Sequence, residues 1–297
     1  MKFRKVNRMK VNAAAKINLM LDVLGTLPDG YHSLFMVMQS VSCFDTVCVE
    51  KTDRGGIEVE AGDSRVPAGE DNIVYKTAKL FFEKTGVENP GVRIGIEKRI
   101  PMAAGLAGGS ADAAGTLYCL REMFAPELDR HTLLTLGERI GADVPFALTG
   151  GTALCMDKGG VIAPLRPLSD CFVVLCKPDM DVSTKNAYQK IDEAPHLRHL
   201  DKNAMLYAVH NGDFPLLCEK AGNVFEQVIE VPQRPYIKGI MRECGASLAL
   251  MSGSGPTVFG LFARETDAKR CALRLQDRFS DVHLCKPVSC GVEVLEK

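Results

Sequence analysis

The sequence predicts an α+β fold in two halves, and three observations carry that reading. Segments that alternate apolar and polar residues, as half-buried strands do, are interspersed with segments of helical spacing along the whole chain. Glycine and proline cluster near 160–168 (Gly159, Gly160, Pro164, Pro167), where a boundary is expected. Beyond it the pattern restarts with a buried strand, "CFVVLCKP". At 297 residues the chain is near the size where one core gives way to two, so the halves are set at 1–165 and 166–297.

Taken in order, "VNAAAKINLMLDVLG" (11–25) is apolar and reads as a strand or strand pair, closed by the turn "PDG" at 28–30. "DTVCVEK" and "GIEVEAG" alternate and read as half-buried strands. "DNIVYKTAKLFFEKTG" opens on an Asx cap, keeps helical spacing at Val74, Ala78, Leu80 and Phe81, and ends on Gly86. "GVRIGIEKRIP" alternates again and leads into "PMAAGLAGGSADAAGTL". A helix to about Phe124 follows, then one over Thr132–Ile140 and the turn "GADVP". In the second half "SLALMSGSGPTVFGLFA" reads as strand, turn and strand. A helix from about Asp267 and a final strand near 282–288 complete it, while "HLRH" (His196, His199) reads as surface helix. Strands and helices mixed in this way suit an α+β or split βαβ arrangement in each half.

Composition narrows the function. A formal charge of −1 removes the usual electrostatic argument for nucleic acid as a partner. Residues 244–263 are uncharged over a span-sized length, but Gly245, Gly253, Gly255, Gly260 and Pro256 make that window a turn between strands, and no membrane segment is expected. The basic start "MKFRKVNRMK" lacks the apolar stretch of a signal peptide. Eleven cysteines with no Cys-x-x-Cys read as buried, reduced thiols of a cytoplasmic protein. Three pairs (Cys43/Cys48, Cys171/Cys176, Cys285/Cys290) stand five apart, an odd offset that turns two thiols to opposite faces of a strand.

The segment 101–117 holds four glycines among small residues ahead of an alanine-rich helix. Such a backbone lets an anion reach amide N–H groups at a helix N-terminus. A tight helix–strand packing turn would also use glycine. No Gly-Lys-Ser/Thr follows, so this is not a Walker A loop, and the acidic residue of a dinucleotide fingerprint is missing. Ser110 offers a hydroxyl for capping, phosphate or Mg²⁺. A second cluster, "SGSGP" at 252–256, is either a hairpin turn or a second wall of one pocket. Lys16 and Asn18 interrupt an apolar strand on one face, where a lysine is costly unless paired or functional. Asp143 in "GADVP" suits an Asx cap or a site. Tyr31 and His32 after the "PDG" turn suit a solvated turn or a surface for a heterocycle.

Together these motifs resemble the GHMP kinase superfamily, whose pattern P-x-x-x-G-L-x-S-S-A is similar to "PMAAGLAGGSA" at 101–111. "AKINLMLDVLGTLPDGYHSL", "GADVPF", "GNVFEQV" and "MSGSGPTVFGLF" extend the resemblance from about residue 11 to the end. It implies a two-domain fold, an N-terminal domain of the ribosomal S5 domain 2-like type and a ferredoxin-like C-terminal domain. It implies transfer of the γ-phosphoryl of ATP, with Mg²⁺, to the 2-hydroxyl of 4-diphosphocytidyl-2-C-methyl-D-erythritol, a step toward isoprenoid precursors. The alternatives are another GHMP kinase acting on phosphomevalonate or homoserine, and a non-catalytic nucleotide-binding regulator on the same scaffold.

By the resemblance, Lys16 and Asp143 form the catalytic pair. Pro101, Met102, Ala103, Ala104, Gly105, Leu106, Ala107, Gly108, Gly109, Ser110 and Ala111 hold ATP, and Gly253, Ser254 and Gly255 form a loop near its phosphates. Asn18, Tyr31, His32 and Tyr188 match substrate-binding positions for the cytidine diphosphate part. The chain departs from the pattern at Ala107 and at "SAD" (Ser110–Asp112). With no hydroxyl at Ala111, Ser110 is left as the contact to Mg²⁺. The implied partner is a small molecule, with no nucleic acid and no membrane; the motifs do not speak to oligomeric state.

Overall fold

The computed structural model describes residues 7–67, 69–157, 159, 161–168 and 170–297. The first six residues of the basic start, and Gly160 of the boundary cluster, lie outside the described residues.

The apolar run at 11–25 is one strand, β1 (Arg8–Thr26), rather than a pair. It turns at 28–30 into an equally long β2 (His32–Lys51), and the two pair antiparallel from Arg8↔Glu50 to Thr26↔His32. Then come β3 (Ile57–Ala61), α1 (Ile73–Thr85), β4 (Val92–Glu97), α2 (Gly108–Phe124), α3 (Arg130–Ile140), the short α4 (Val144–Thr149), β5 (Thr152–Asp157) and β6 (Val161–Pro164). β2 shares one edge between two partners, β5 along residues 34–39 and β4 along 46–51. Helix α1 starts where the sequence places it: the Asn72 side chain accepts from Val74 N, and Gly86 closes the helix at φ +68°. The small residues of α2 have a packing reason as well. A Cβ on Gly115 would lie 3.1 Å from Val47 and 3.3 Å from Val11, so the helix lies close on the sheet.

The second half contains β7 (Phe172–Lys177), α5 (Thr184–Glu193), α6 (Lys202–Asn211), α7 (Phe214–Lys220), β8 (Gly222–Asn223), α8 (Arg234–Glu243), β9 (Leu248–Met251), β10 (Val258–Phe262), α9 (Glu265–Gln276), β11 (Asp281–Cys285) and β12 (Val292–Glu296). Four of these strands form an antiparallel sheet in the order β11-β7-β10-β9, the ferredoxin-like arrangement. Period-2 alternation divides β7: Val173 and Leu175 pack with Ile17 and Leu19 of β1, whereas Val174 and Cys176 pack with Ile237 of α8 and Cys271 of α9. The chain is therefore a two-part α+β fold with an apolar seam between its two sheets.

Two local expectations need correction. "HLRH" is not helical; its His199 Nδ1 pairs with the buried Asp22 Oδ1 of β1 at 3.0 Å. The strand near 282–288 stops at Cys285, and Pro287 makes a single bridge to Val41. The chain then returns to the first sheet, where β12 pairs antiparallel with residues 10–13 of β1. All eleven cysteines are free, and most are buried.

Candidate active site

Along its outer edge β1 pairs with β12 at residues 10–13 and with β8 at residues 20–21. Between them the edge is open, and loops fill it: Ala14 N donates to Gly291 O at 2.8 Å and Lys16 N to Leu106 O at 3.1 Å. Backbone groups that a neighbouring strand would satisfy thereby fasten the glycine-rich loop to the strand that carries Lys16.

The two glycine loops interlock. Gly105 has φ +73°, and a Cβ there would lie 2.2 Å from Ser252 O; Gly253 has φ +56°, and a Cβ would lie 2.9 Å from Gly105 O. Ser252 Oγ donates to Gly105 O at 2.9 Å. We expect Gly105→Ala to weaken ATP binding about 30-fold in titration calorimetry, because a left-handed alanine and a backbone clash together cost about 2 kcal/mol. Unchanged affinity would make the interlock irrelevant to ATP.

Helix α2 begins without a side-chain cap. Its N-cap residue, Ala107, sits at φ +57° and offers no hydrogen bond, whereas Asn72, Asp129, Ser183, Asp201 and Asp213 cap α1, α3, α5, α6 and α7. The first amides of α2 are thus left for an anion, where the helix dipole favours negative charge. Ser110 sits in this first turn and does not cap it.

Lys16 is almost fully buried, with 6% of its surface exposed. Its Nζ donates to Asn18 Oδ1 at 2.7 Å and to Gly105 O at 3.0 Å. Burial pulls the ammonium below the ordinary lysine range, while the negative charge of Asp143 opposes that shift. Asp143 stands at the N-cap position of α4 but makes no capping hydrogen bond, so its carboxylate is not engaged by the helix. Lys16 and Asp143 are coupled through the field; among the described residues no ion pair within 4 Å joins them. Burial, reinforced by the charge of Asp143, also pushes the Tyr188 hydroxyl upward, which puts Asp143 in electrostatic reach of both groups.

At the start of β2, His32 stacks on Tyr188 of α5 with ring centroids 4.5 Å apart, and Tyr188 meets Phe225 edge-on at 5.1 Å. His32 Nε2 pairs with Asp192 Oδ1 at 2.7 Å. Tyr31 is mostly exposed on the preceding turn.

One cavity of about 930 Å³ collects most of these residues. Lys16, Asp143, Tyr31, His32, Tyr188, Gly253 and Ser254 line it, as do Pro101 to Gly105 and Ala107 to Ser110. Leu106, Ala111, Asn18 and Gly255 do not. Leu106 and Ala111 point into the core, and Asn18 backs Lys16 from a fully buried position. Residues the sequence reading missed also line the cavity: Asp192, Thr184, whose Oγ1 lies 3.1 Å from Ser254 Oγ, and the pair Lys98 and Asp112. The nearly buried Lys98 Nζ donates to Asp112 Oδ2 at 2.6 Å and also to Asp45. Asp45 Oδ1 accepts from Arg99 N and Ile100 N, just ahead of the glycine loop. Such a cavity can hold a polyphosphate at the amides of α2 and a flat ring against the aromatic stack.

Comparison with known proteins shows the family. The family descriptions "GHMP kinases N terminal domain" and "GHMP kinases C terminal" match residues 72–151 and 205–281. A 4-diphosphocytidyl-2-C-methyl-D-erythritol kinase of Clostridium tetani is 40% identical over 283 residues, 94% of this chain and all of that protein. The enzyme of the same name from Exiguobacterium sibiricum is 42% identical, covering 93% of this chain and 96% of its own. A crystal structure of 4-(cytidine 5'-diphospho)-2C-methyl-D-erythritol kinase superposes with a TM-score of 0.77 at 33% identity, covering 94% and 99% of the two chains. Homoserine kinase from Cytophaga hutchinsonii, at 19% identity and a TM-score of 0.78, shares the fold.

Proposed function

The chain belongs to the GHMP kinase family, and we infer from its relatives and its cavity that it is an ATP-dependent kinase that phosphorylates the 2-hydroxyl of 4-diphosphocytidyl-2-C-methyl-D-erythritol, a step of the non-mevalonate route to isoprenoid precursors. One observation carries the acceptor: an aromatic stack and an uncapped helix start line the same cavity as Lys16 and Asp143. Homoserine has no ring for such a stack to hold. The test is ATP consumption with the cytidyl substrate beside mevalonate, galactose and homoserine. Turnover with the first alone is expected, and preference for another acceptor would overturn the reading.

Phosphoryl transfer asks mainly for positioning and charge stabilisation. In the mechanism we propose, the amides of Gly108, Gly109 and Ser110 receive the phosphates. Asp143 orients the attacking hydroxyl and takes its proton, and Lys16 supports the negative charge that develops on the moving phosphoryl group. Lys16 is held by Asn18 and Gly105, so it acts on Asp143 through its field rather than through a shared hydrogen bond.

Among the described residues no three His, Cys, Asp or Glu side chains gather as a metal site. Ser110 lines the cavity at the start of α2, a single hydroxyl donor that suits a cation carried mainly by phosphate oxygens. Ser110 would be its protein contact, and bound Mg²⁺ would neutralise phosphate charge.

We keep the division at 165/166, with β12 lent by the second half to the sheet of the first. No helix among the described residues is long and apolar enough to cross a membrane, and the free thiols support a cytoplasmic location.

His32→Ala should weaken cytidine diphosphate about 5- to 150-fold, the cost of one hydrogen bond lost in a closed site, about 1–3 kcal/mol. ATP affinity should not change. Calorimetry showing equal cytidine diphosphate affinity would remove His32 from the acceptor site.

A further inference from the structure

The segment "GNVFEQV" at 222–228 belongs to the family resemblance but has no part in the mechanism above. Its Asn223 is 5% exposed and uses its whole side-chain amide. Nδ2 donates to Met251 O and to Gly253 O, both at 2.8 Å, and Oδ1 accepts from Phe225 N at 3.0 Å. Only one orientation of the amide satisfies all three partners.

The peptide group it holds leads directly to Lys16. Gly253 N donates to Asn18 Oδ1 at 3.0 Å, and Lys16 Nζ donates to that same oxygen. A Cβ on Gly253 would lie 3.3 Å from Lys16 Nζ, so the loop backbone is the wall behind the ammonium. Asn223 is itself anchored, because β8 pairs parallel with Met20 and Leu21, a few residues along the strand that carries Lys16. The frame is closed: β1 holds Asn223, Asn223 holds Gly253, Gly253 holds Asn18, and Asn18 holds Lys16.

We propose that Asn223 is a positioning residue for phosphoryl transfer, fixing the Lys16 ammonium through the Gly253 peptide and Asn18 without touching either substrate. The inference rests on the catalytic reading of Lys16 given above. A buried ammonium with two oxygen partners has little freedom while the loop is fixed. Without the two amide donors of Asn223, the carbonyls of Met251 and Gly253 lose their partner and the Gly253 peptide can turn. A displacement of this kind far from substrate can cost up to about 10²-fold in rate.

The experiment compares Asn223→Ala, Asn223→Ser and Asn223→Asp with Lys16→Ala in the full chain, with ATP and the cytidyl acceptor saturating and folding checked by circular dichroism and melting. Asn223→Ala should lower kcat about 10- to 10²-fold and leave both KM values within about threefold, the pattern of a lost transition-state interaction. Asn223→Ser, which keeps one donor, should recover part of the loss. Asn223→Asp, which sets a carboxylate oxygen against two carbonyls, should not.

The pH profile gives a readout that a merely structural role would not move. Lys16 is faced by Asp143 ahead of α4 and by Cys155 of β5, and burial holds its pKa down. Loosening the wall admits water, so the alkaline limb of kcat should move to higher pH in Asn223→Ala. Unchanged kcat in folded variants, a loss confined to KM with an unmoved limb, or failure of all three variants to fold would each overturn the proposal. An active Lys16→Ala would instead overturn the catalytic reading of Lys16. An inactive Lys16→Ala beside a normal Asn223→Ala would overturn this inference alone.

Discussion

Asp143→Asn is expected to keep the fold and most of the ATP affinity and to lower kcat about 10²- to 10⁴-fold, the range for a lost general acid–base group. The fold should survive because the carboxylate caps nothing. Helix α4 is held by buried Val144, Pro145 and Phe146 and by the Asp143 carbonyl, which accepts from Ala147 N at 2.9 Å. Asparagine preserves that carbonyl and nearly the same volume. The pH profile adds a signed check. Asp143 is the leading charge that holds the Lys16 ammonium up against its burial. Removing it should lower the Lys16 pKa further, so activity that needs the ammonium would be lost at a lower pH than in the parent. The measurements are kcat across pH, ATP affinity by calorimetry, and circular dichroism. A folded variant with near-parent kcat would remove Asp143 from the mechanism.

Signals local in the chain were legible in the sequence, and those that depend on distant pairing were not. The Asx cap and closing glycine of α1, the strand–turn–strand around "SGSGP" and the glycine loop before α2 are each written within a few residues. The first part of β2 was missed for a physical reason. "HSLFMVMQSVSCF" is buried on both faces over most of its length, so the period-2 alternation that marks a half-buried strand is absent. Strand β12 did carry a signal, alternating Val292, Glu293 and Val294, but nothing local says that it returns to β1. The site divides in the same way. Lys16 showed itself as a charge inside an apolar strand. Asn223 looked like an ordinary turn residue, because its two carbonyl partners lie 28 and 30 positions away.

Lys98 is the clearest case of a residue hidden by distance, and Lys98→Met should be the most destabilising change. Its ammonium joins Asp45 of β2 and Asp112 of α2, 53 and 14 positions away, and all three side chains are nearly buried. One cation thus serves two carboxylates, and Asp112 Oδ1 has no hydrogen-bond partner. Methionine keeps the stem and the volume but leaves two carboxyl groups facing each other away from water with no cation between them. Removing one partner of a buried ion pair costs about 3–5 kcal/mol, chiefly through the charge left behind. The penalty should depend on pH in a definite direction. Burial already pushes the Asp112 carboxyl up to about 8 against the pull of Lys98, and without that pull it should rise further. A carboxyl whose folded pKa lies above its unfolded value contributes stability that is present at low pH and lost as pH rises through the folded pKa. The deficit of the variant should therefore be largest near about pH 9, where the parent has lost the Asp112 proton and the variant still holds it, and shrink toward about pH 6, where both hold it. Urea unfolding of parent and variant at the two pH values measures it. ATP binding should weaken as well, since a Cβ on Gly108 would lie 3.3 Å from Lys98 Nζ and the ammonium thus lies beneath the first amide of α2. Equal stability of parent and variant at the higher pH would show that the two carboxylates do not depend on the lysine, and a deficit that grows toward acid would reverse the assigned sign.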